Sequence, residues 1–358
     1  MTARWLIVLT AAVALVGIPV TVRAWPAAPS TIAATELAAR VQGSASVGWS
    51  GLVESTGTLQ VPDNDSFANL AQLLGERNEL RVWWREPQDW RIDRIRGTGE
   101  TDLYRRGTSS IRWVFESETA TLTPVSKIRL PDASDLLPPT LARIMLQGVR
   151  GEELSRLPSR RYAGVDAAGL RLTPADPAAT VAHVDLWADP QSGLPLAVEL
   201  YADGDTRPVL STTVTELDLR RPASELTRFV PDGDVEFRYD QSVDVAAAAN
   251  AGAPFDLPKT LAGLPSRNGE DPGAVGVYGR GPTTLVALPL RGSVAGPLRD
   301  RLRSSAGAED TVVGTRATVG PIGLLVTSYR GRGGAFLLAG MVDAATLERA
   351  ASELTAFT

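Results

Sequence analysis

The chain contains no cysteine. That excludes disulfides, thiolate nucleophiles, cysteine-ligated zinc and iron–sulfur clusters, and it removes the thiol to which a lipid anchor would attach. It contains one histidine, His183, which leaves little for metal sites or for acid–base machinery working near neutral pH. An excess of positive charge is missing too. Lysine and arginine number 36 against 41 acidic residues, a formal net charge of -5, so nothing favours phosphate backbones and no nucleic-acid partner is expected. The short basic groups Arg105-Arg106, Arg160-Arg161 and Arg220-Arg221 are scattered and read as solvated strand ends and loops. Phosphate cradles are absent as well. Gly279-Arg-Gly281 and Gly331-Arg-Gly-Gly334 precede strands rather than helix N-termini, so both read as hairpin turns. No calcium loop occurs, and Asp63-Asn-Asp65 is a turn and cap signal. No cofactor is expected.

What is present fits a folded, exported protein. The 358 residues suffice for two domains, and 44% hydrophobic against 22% charged residues is a globular rather than a disordered balance. After Arg4 an uncharged run, Trp5 to Val22, reaches roughly 27 Å as a helix and carries no polar face. It is a targeting segment. A cleaved signal peptide over residues 1–24 and an uncleaved signal anchor both stay open, and either places the remainder outside the cytoplasm, secreted, periplasmic or membrane-anchored.

Residues 32–41 have helical spacing, and from Val47 the period becomes two. Phe67, Leu70, Leu73 and Leu74 fall on one side of a helix that Gly75 stops. In the stretch 80–85, Leu80, Val82 and Trp84 share one strand face while Arg81, Trp83 and Arg85 share the other. Segments 90–95, 101–104, 111–115 and 119–123 continue an antiparallel meander. Pro138-Pro139 opens a helix carrying Leu141, Ile144 and Met145. Strands follow at 170–172, 181–187, 195–201 and 210–217, with the turn Asp189 to Gly193 making a hairpin. The Ala/Gly/Pro-rich stretch Gln241 to Pro258 reads as a linker between a domain over 32–240 and one over 259–358. The second has strands at 275–278, 284–290, 311–313, 322–329 and 335–341, a helix at 293–303, and a last helix capped by Asp343. The fold class is mainly β with α+β character.

Three stretches of the first domain resemble the LolA/RseB (MucB) superfamily of half-barrels. Trp83-Trp-Arg-Glu-Pro-Gln-Asp-Trp-Arg91 is similar to its strand, proline and aromatic-Arg pattern, and Gly99–Tyr104 with Trp113–Glu116 to the hairpin that follows. Asp185 to Tyr201, with its Gly193-Leu-Pro195, is the most specific, and Phe229-Val-Pro231 is the usual close. Residues Ala335 to Ala351 resemble the final strand and helix of the RseB-type second domain. The helix at 67–74 departs from the pattern as an insertion. The resemblance implies a curved, open antiparallel half-barrel with covering helices, then a small α+β domain. It further implies a hydrophobic concavity for acyl chains or apolar peptide, and as partner a membrane anti-sigma factor or, in LolA-type carriers, a lipoprotein.

The residues themselves allow such a concavity. Trp49, Trp84, Trp90 and Trp113 are read on one apolar face, and with Val47, Val82, Ile92, Ile111 and Phe115 they would line it. Val198 and Leu200 would add the far wall, and Phe67, Leu70, Leu74, Leu141, Ile144 and Met145 the lid helices. Pocket and plain core both stay open. His183 shares a strand face with Asp185 and Trp187, a pair that could orient a serine. No Gly-x-Ser-x-Gly elbow accompanies it, so it reads as a strand histidine. The expected role is binding a hydrophobic ligand, without catalysis.

Overall fold

The computed structural model describes residues 26–59, 68–97, 99–125, 129, 131–231, 235–239, 257–267, 275–328 and 334–357. The Trp5–Val22 run, the Asp63-Asn-Asp65 turn, Phe67, Gly331 to Gly333 and residues 241–256 of the linker stretch lie outside the described residues.

One open sheet of twelve strands dominates. Six form a first meander: β1 (Trp49–Gly57), β2 (Arg77–Glu86), β3 (Asp89–Arg96), β4 (Gly99–Arg106), β5 (Ser109–Val114) and β6 (Thr119–Pro124). Five form a second: β7 (Leu154–Tyr162), β8 (Val165–Leu172), β9 (Val181–Ala188), β10 (Pro195–Ala202) and β11 (Leu210–Asp218). β1 joins them by pairing with β2 on one side and β11 on the other. A short β12 (Glu236–Tyr239) adds to β6, the one parallel pair of the sheet. The spatial order is β12-β6-β5-β4-β3-β2-β1-β11-β10-β9-β8-β7, and the ends do not meet. Side chains alternate across each strand, so the sheet has an inner face that packs against helices and an outer face.

The helices are α1 (Ala34–Gly43), α2 (Ala68–Gly75) and α3 (Pro138–Met145). Leu37 and Val41 of α1 and Leu141, Ala142 and Met145 of α3 join the inner-face core. Pro138 and Pro139 sit in the first turn of α3, where a missing N–H costs nothing. The turn before it, residues Ala133–Leu136, is closed by a reciprocal capping box between Asp132 and Asp135. Thr212 Oγ1 on β11 donates to the Leu136 carbonyl at 2.6 Å, pinning that turn to the sheet.

The second sheet runs β15 (Gly276–Arg280), β16 (Thr283–Leu290), β20 (Ala335–Gly340), β19 (Ile322–Thr327), β18 (Gly314–Val319), β17 (Glu309–Asp310). A two-stranded piece, β13 (Thr260–Leu261) with β14 (Leu264–Pro265), precedes it. Helices α4 (Gly292–Arg303) and α5 (Ala344–Phe357) cover it. Asp343 caps α5 by accepting from the Thr346 amide at 2.7 Å. The expected strand at 311–313 is instead a turn. Thr311 Oγ1 accepts from the amides of Val313 and Gly314, so a local side-chain bond takes the donors that a ladder would need. β7 was not foreseen, because this edge strand is largely exposed and rich in arginine, without an apolar alternation.

The two sheets are fastened together. Ala179 forms a bridge with Val342, and Val319, Ile322, Leu324 and Met341 of the second unit pack into the inner-face core of the first. Glu153, nearly buried just before β7, pairs with Arg280 of β15 and accepts from the amides of Ala175 and Arg150 at 2.9 Å each. Burial alone would raise the Glu153 carboxyl, but the bonds from Arg280 and the two amides hold it below the usual carboxylate range. Its stabilising contribution is therefore present above the ordinary carboxylate pKa and is lost as pH falls through the depressed value. The six tryptophans among the described residues all lie on strands of the first sheet and none on the second, so a change in tryptophan fluorescence on unfolding reports the first sheet. Arg280→Ala, made in the second sheet, should still lower that signal's unfolding stability by about 3 kcal/mol at pH 7, with the deficit shrinking in acid. Unchanged fluorescence-detected unfolding would show that the ion pair does not couple the sheets.

Candidate binding site

The register of β1 to β3 sets Trp49, Trp84 and Trp90 abreast, and beside them Gly51, Val82 and Ile92. All of these lie on the inner face. Across β11, the same face continues through Val198 and Leu200 of β10. Trp49, Val82, Ile92 and Val198 are fully buried, with Trp84, Trp90 and Leu200 nearly so. Trp84 and Trp90 stack at 5.9 Å, and their indole N–H groups donate to the Ala45 and Pro87 carbonyls. Leu141 and Met145 of α3 pack over this region, and Val47 and Leu74 lie half-buried against it. Ile144 is 39% exposed and takes no part. The Leu70 side chain, like Phe67, lies outside the described residues. These seven expected lining residues are thus packed core, screened from solvent.

Three others are not on that face. The tight turn at Gly107-Thr108 pairs Arg106 with Ser109, which sets Trp113 opposite Asp102 and Ile111 opposite Tyr104 on the outer face. Strand alternation within β5 was read correctly, but the turn fixes which set points inward, and it is Ser110, Arg112 and Val114. Phe115 leaves the strand altogether for a short 3-10 turn and is 65% exposed.

The inner face changes character along β3. Trp90 and Ile92 are followed on the same side by Arg94 and Arg96. Next to them stand Thr101 and Leu103 of β4, then Arg112 and Val114 of β5. Here α1 and α3 no longer cover the sheet, and a cavity of about 300 Å³ opens. Gln72 and Leu73 of α2 wall one side and Asp132 and Ala133 the other. α2 is held there from below. Asn78 of β2, itself buried, donates to the carbonyls of Gln72, Leu73 and Glu76 at 3.1–3.3 Å. Gly57 of β1 lies so close to α2 that a Cβ would fall 1.9 Å from the Leu74 carbonyl oxygen. Arg94 is only 5% exposed. Burial, then the charges of Arg96 and Arg112, push its pKa down to about 10, with Glu76 opposing, so it remains a cation at neutral pH. Sequence reading missed Gln72, Arg94, Arg96 and Arg112. The available signal was that Arg94 and Arg96 continue the inward parity of Trp90 and Ile92.

The outer face behind this groove carries an ion network. Arg91 bonds to Asp93 at 2.6 and 2.8 Å and to Asp102 at 3.1 Å, beneath Trp83 and Tyr104. Burial, then the Asp93 charge, raise the Asp102 carboxyl to about 7. Glu100 stands near both acids, but the guanidinium already occupies the space between them. Phe229 covers the network, 5.2 Å from Tyr104 and 5.7 Å from Trp113. His183 lies flat on Tyr201 at 4.3 Å, and both oxygens of Asp185 are held by Arg171 at 2.6 and 2.7 Å. His183 Nε2 lies 4.0 Å from Asp185 Oδ2, beyond hydrogen-bond distance. The Asp189–Gly193 hairpin is built as its sequence suggests. Asp189 accepts from the amides of Gln191 and Ser192, and Gly193 takes a φ of 73° with no room for a Cβ beside the backbone of Arg40.

The two faces separate under mutation. Val82→Glu places an unpaired charge in closed core and should cost several kcal/mol in urea unfolding. Trp113→Glu, half-buried on the outer face, should cost less than half as much. Equal losses would mean that the faces are misassigned.

No protein-family model matches the chain, nor does any curated protein. Among solved structures it is similar to MucB from Pseudomonas aeruginosa in a MucA/MucB complex, at 17% identity over 89% of this chain and 96% of that one, with a TM-score of 0.48. A crystal structure of MucB alone gives 16% identity, 89% and 96% coverage and a TM-score of 0.47. A LolA superfamily protein from Nitrosomonas europaea gives 14% identity over 56% of this chain and 99% of that one, with a TM-score of 0.25. These are likenesses of fold alone.

Proposed function

We propose that the chain is an extracytoplasmic, non-enzymatic binding protein that takes a hydrophobic ligand, a lipid, acyl chain or apolar peptide, at the inner face of its half-barrel. The observation that carries this reading is the uncovered stretch of that face between α2, Asp132–Ala133 and β3 to β5. There Leu103 and Val114 offer half-exposed apolar surface, backed by buried Leu73 and Ala133, at an opening of about 300 Å³, the lower end of the range for small-molecule sites. The entry lies beside the packed tryptophans, so a chain inserted there would extend the core that Trp90 and Ile92 already form. Each buried methylene contributes roughly 0.8 kcal/mol, enough for micromolar binding after ordering costs.

The regulatory partner in this reading is a membrane anti-sigma factor, engaged outside the cytoplasm. It is supported by the resemblance of the hairpin and of residues 335–351 to RseB-type proteins. The firm junction between the sheets adds support, because ligand binding in one unit would be felt by the other. A lipoprotein carrier of LolA type is the second reading, and it needs only the first sheet. The export segment accords with either, and no helix among the described residues is long and apolar enough to cross a membrane.

Titrating the full chain with a fluorescent fatty acid should give saturable, micromolar binding with a change in tryptophan emission. Leu103→Ser should weaken it about ten-fold or more with little loss of stability, since Leu103 is only half-buried. Absence of binding by any lipid or lipopeptide would remove the hydrophobic-ligand reading.

A further inference from the structure

The groove arginines have almost nothing to neutralise them. Gln72 Oε1 accepts from Arg94 at 3.1 Å and from Arg96 at 2.7 Å, so one neutral oxygen serves two cations. The Nε groups of both arginines are buried and have no hydrogen-bond partner among the described residues. Arg112, the third cation lining the cavity, forms no ion pair among the described residues. Glu76 acts on Arg94 by its charge without pairing with it, and Asp132, the carboxylate that lines the cavity, is committed elsewhere. Its Oδ1 accepts from the Ser134 amide and hydroxyl at 2.8 and 2.6 Å, and its Oδ2 faces Arg129 at 3.2 Å. Other arginines of the same sheet are treated differently: Arg85, Arg91 and Arg171 each hold an aspartate. A buried charge is costly unless it is paired and hydrogen-bonded, and guanidinium groups match phosphate and carboxylate oxygens two at a time.

We propose that Arg94, Arg96 and Arg112 form a receptor for the anionic group, a phosphate or a carboxylate, of an amphiphile whose apolar part lies along Leu73, Leu103 and Val114. This rests on the reading of the groove as a ligand site and names the class of ligand. Arg94 and Arg96 are the fixed part, because burial and Gln72 hold them in place. Arg112, exposed at the rim, closes on the anion from the solvent side. The apolar wall lies within the same cavity as the cations, so head and tail are read together.

Dodecyl phosphate, dodecanol and inorganic phosphate, each titrated into the full chain below micelle-forming concentrations, test this. Dodecyl phosphate should bind roughly ten-fold tighter than dodecanol, and inorganic phosphate more weakly than dodecyl phosphate. Arg96→Gln with Arg112→Gln should abolish the preference for the charged head while leaving dodecanol binding and folding intact. Gln72→Glu supplies the cluster with its own carboxylate. It should raise the unfolding midpoint and weaken dodecyl phosphate roughly ten-fold. Equal binding of dodecyl phosphate and dodecanol, or indifference to Gln72→Glu, would overturn the anion receptor and leave the apolar groove standing. Inorganic phosphate binding as tightly as dodecyl phosphate would overturn the amphiphile. Failure of all three to bind would overturn the groove itself.

Discussion

The alternation of side chains along β3 puts Trp90, Ile92, Arg94 and Arg96 on one face of the sheet. That constraint governs the rest of the molecule. The face that must be sealed from water at one end carries charges that must be solvated or ligated at the other. Helices α1 and α3 seal the aliphatic part, reinforced by stacked Trp84 and Trp90. Over the arginines they give way to the end of α2 and the Asp132–Ala133 turn, which wall a cavity rather than fill it. An apolar residue at 94 would let the core close here. An arginine keeps the face open, and no carboxylate among the described residues pairs with it, Glu76 acting on it only by its charge.

Such a site suits a protein whose second unit is locked to the first. The Ala179–Val342 bridge, the Glu153–Arg280 pair and the shared apolar contacts leave little freedom between the sheets. In the proposed reading, a ligand bound against α2 acts on a body whose parts are already connected. A carrier needs its hydrophobic cargo released, and for that purpose a cationic rim would discriminate among heads rather than tails. The cation cluster therefore favours recognition of a particular amphiphile over bulk transport.

Much of the architecture was legible in the sequence. The period-two runs from Trp49 to Thr123 and from Val181 to Leu217 became strands β1 to β6 and β9 to β11, and Gly75, Pro138 and Asp343 mark helix ends where expected. The inward set of β1, β2 and β3 was also legible, because tryptophan and aliphatic residues alternate with charge. The parity of β5 was not. It depends on the turn at Gly107-Thr108, whereas composition favours Ile111 and Trp113 for the inner face over Ser110, Arg112 and Val114, and the register overrides it. β7 escaped notice because an exposed edge strand has no apolar alternation to display. The groove arginines escaped notice for a related reason. An arginine in a strand normally marks the wet face, and only the register with Trp90 and Ile92 shows that Arg94 points inward.

The central claim is that the buried guanidinium of Arg94 and the half-buried one of Arg96 receive the ligand's charge, and their own N–H groups can be observed. In arginine-side-chain ¹⁵N–¹H spectra of the full chain, the Nε–H resonances of Arg94 and Arg96, assigned through Arg→Lys variants, should move when dodecyl phosphate is added. They should stay in place with dodecanol. Dodecyl phosphate that binds while both resonances remain unmoved would contradict the account, since the charge would then be held somewhere other than the inner face of β3.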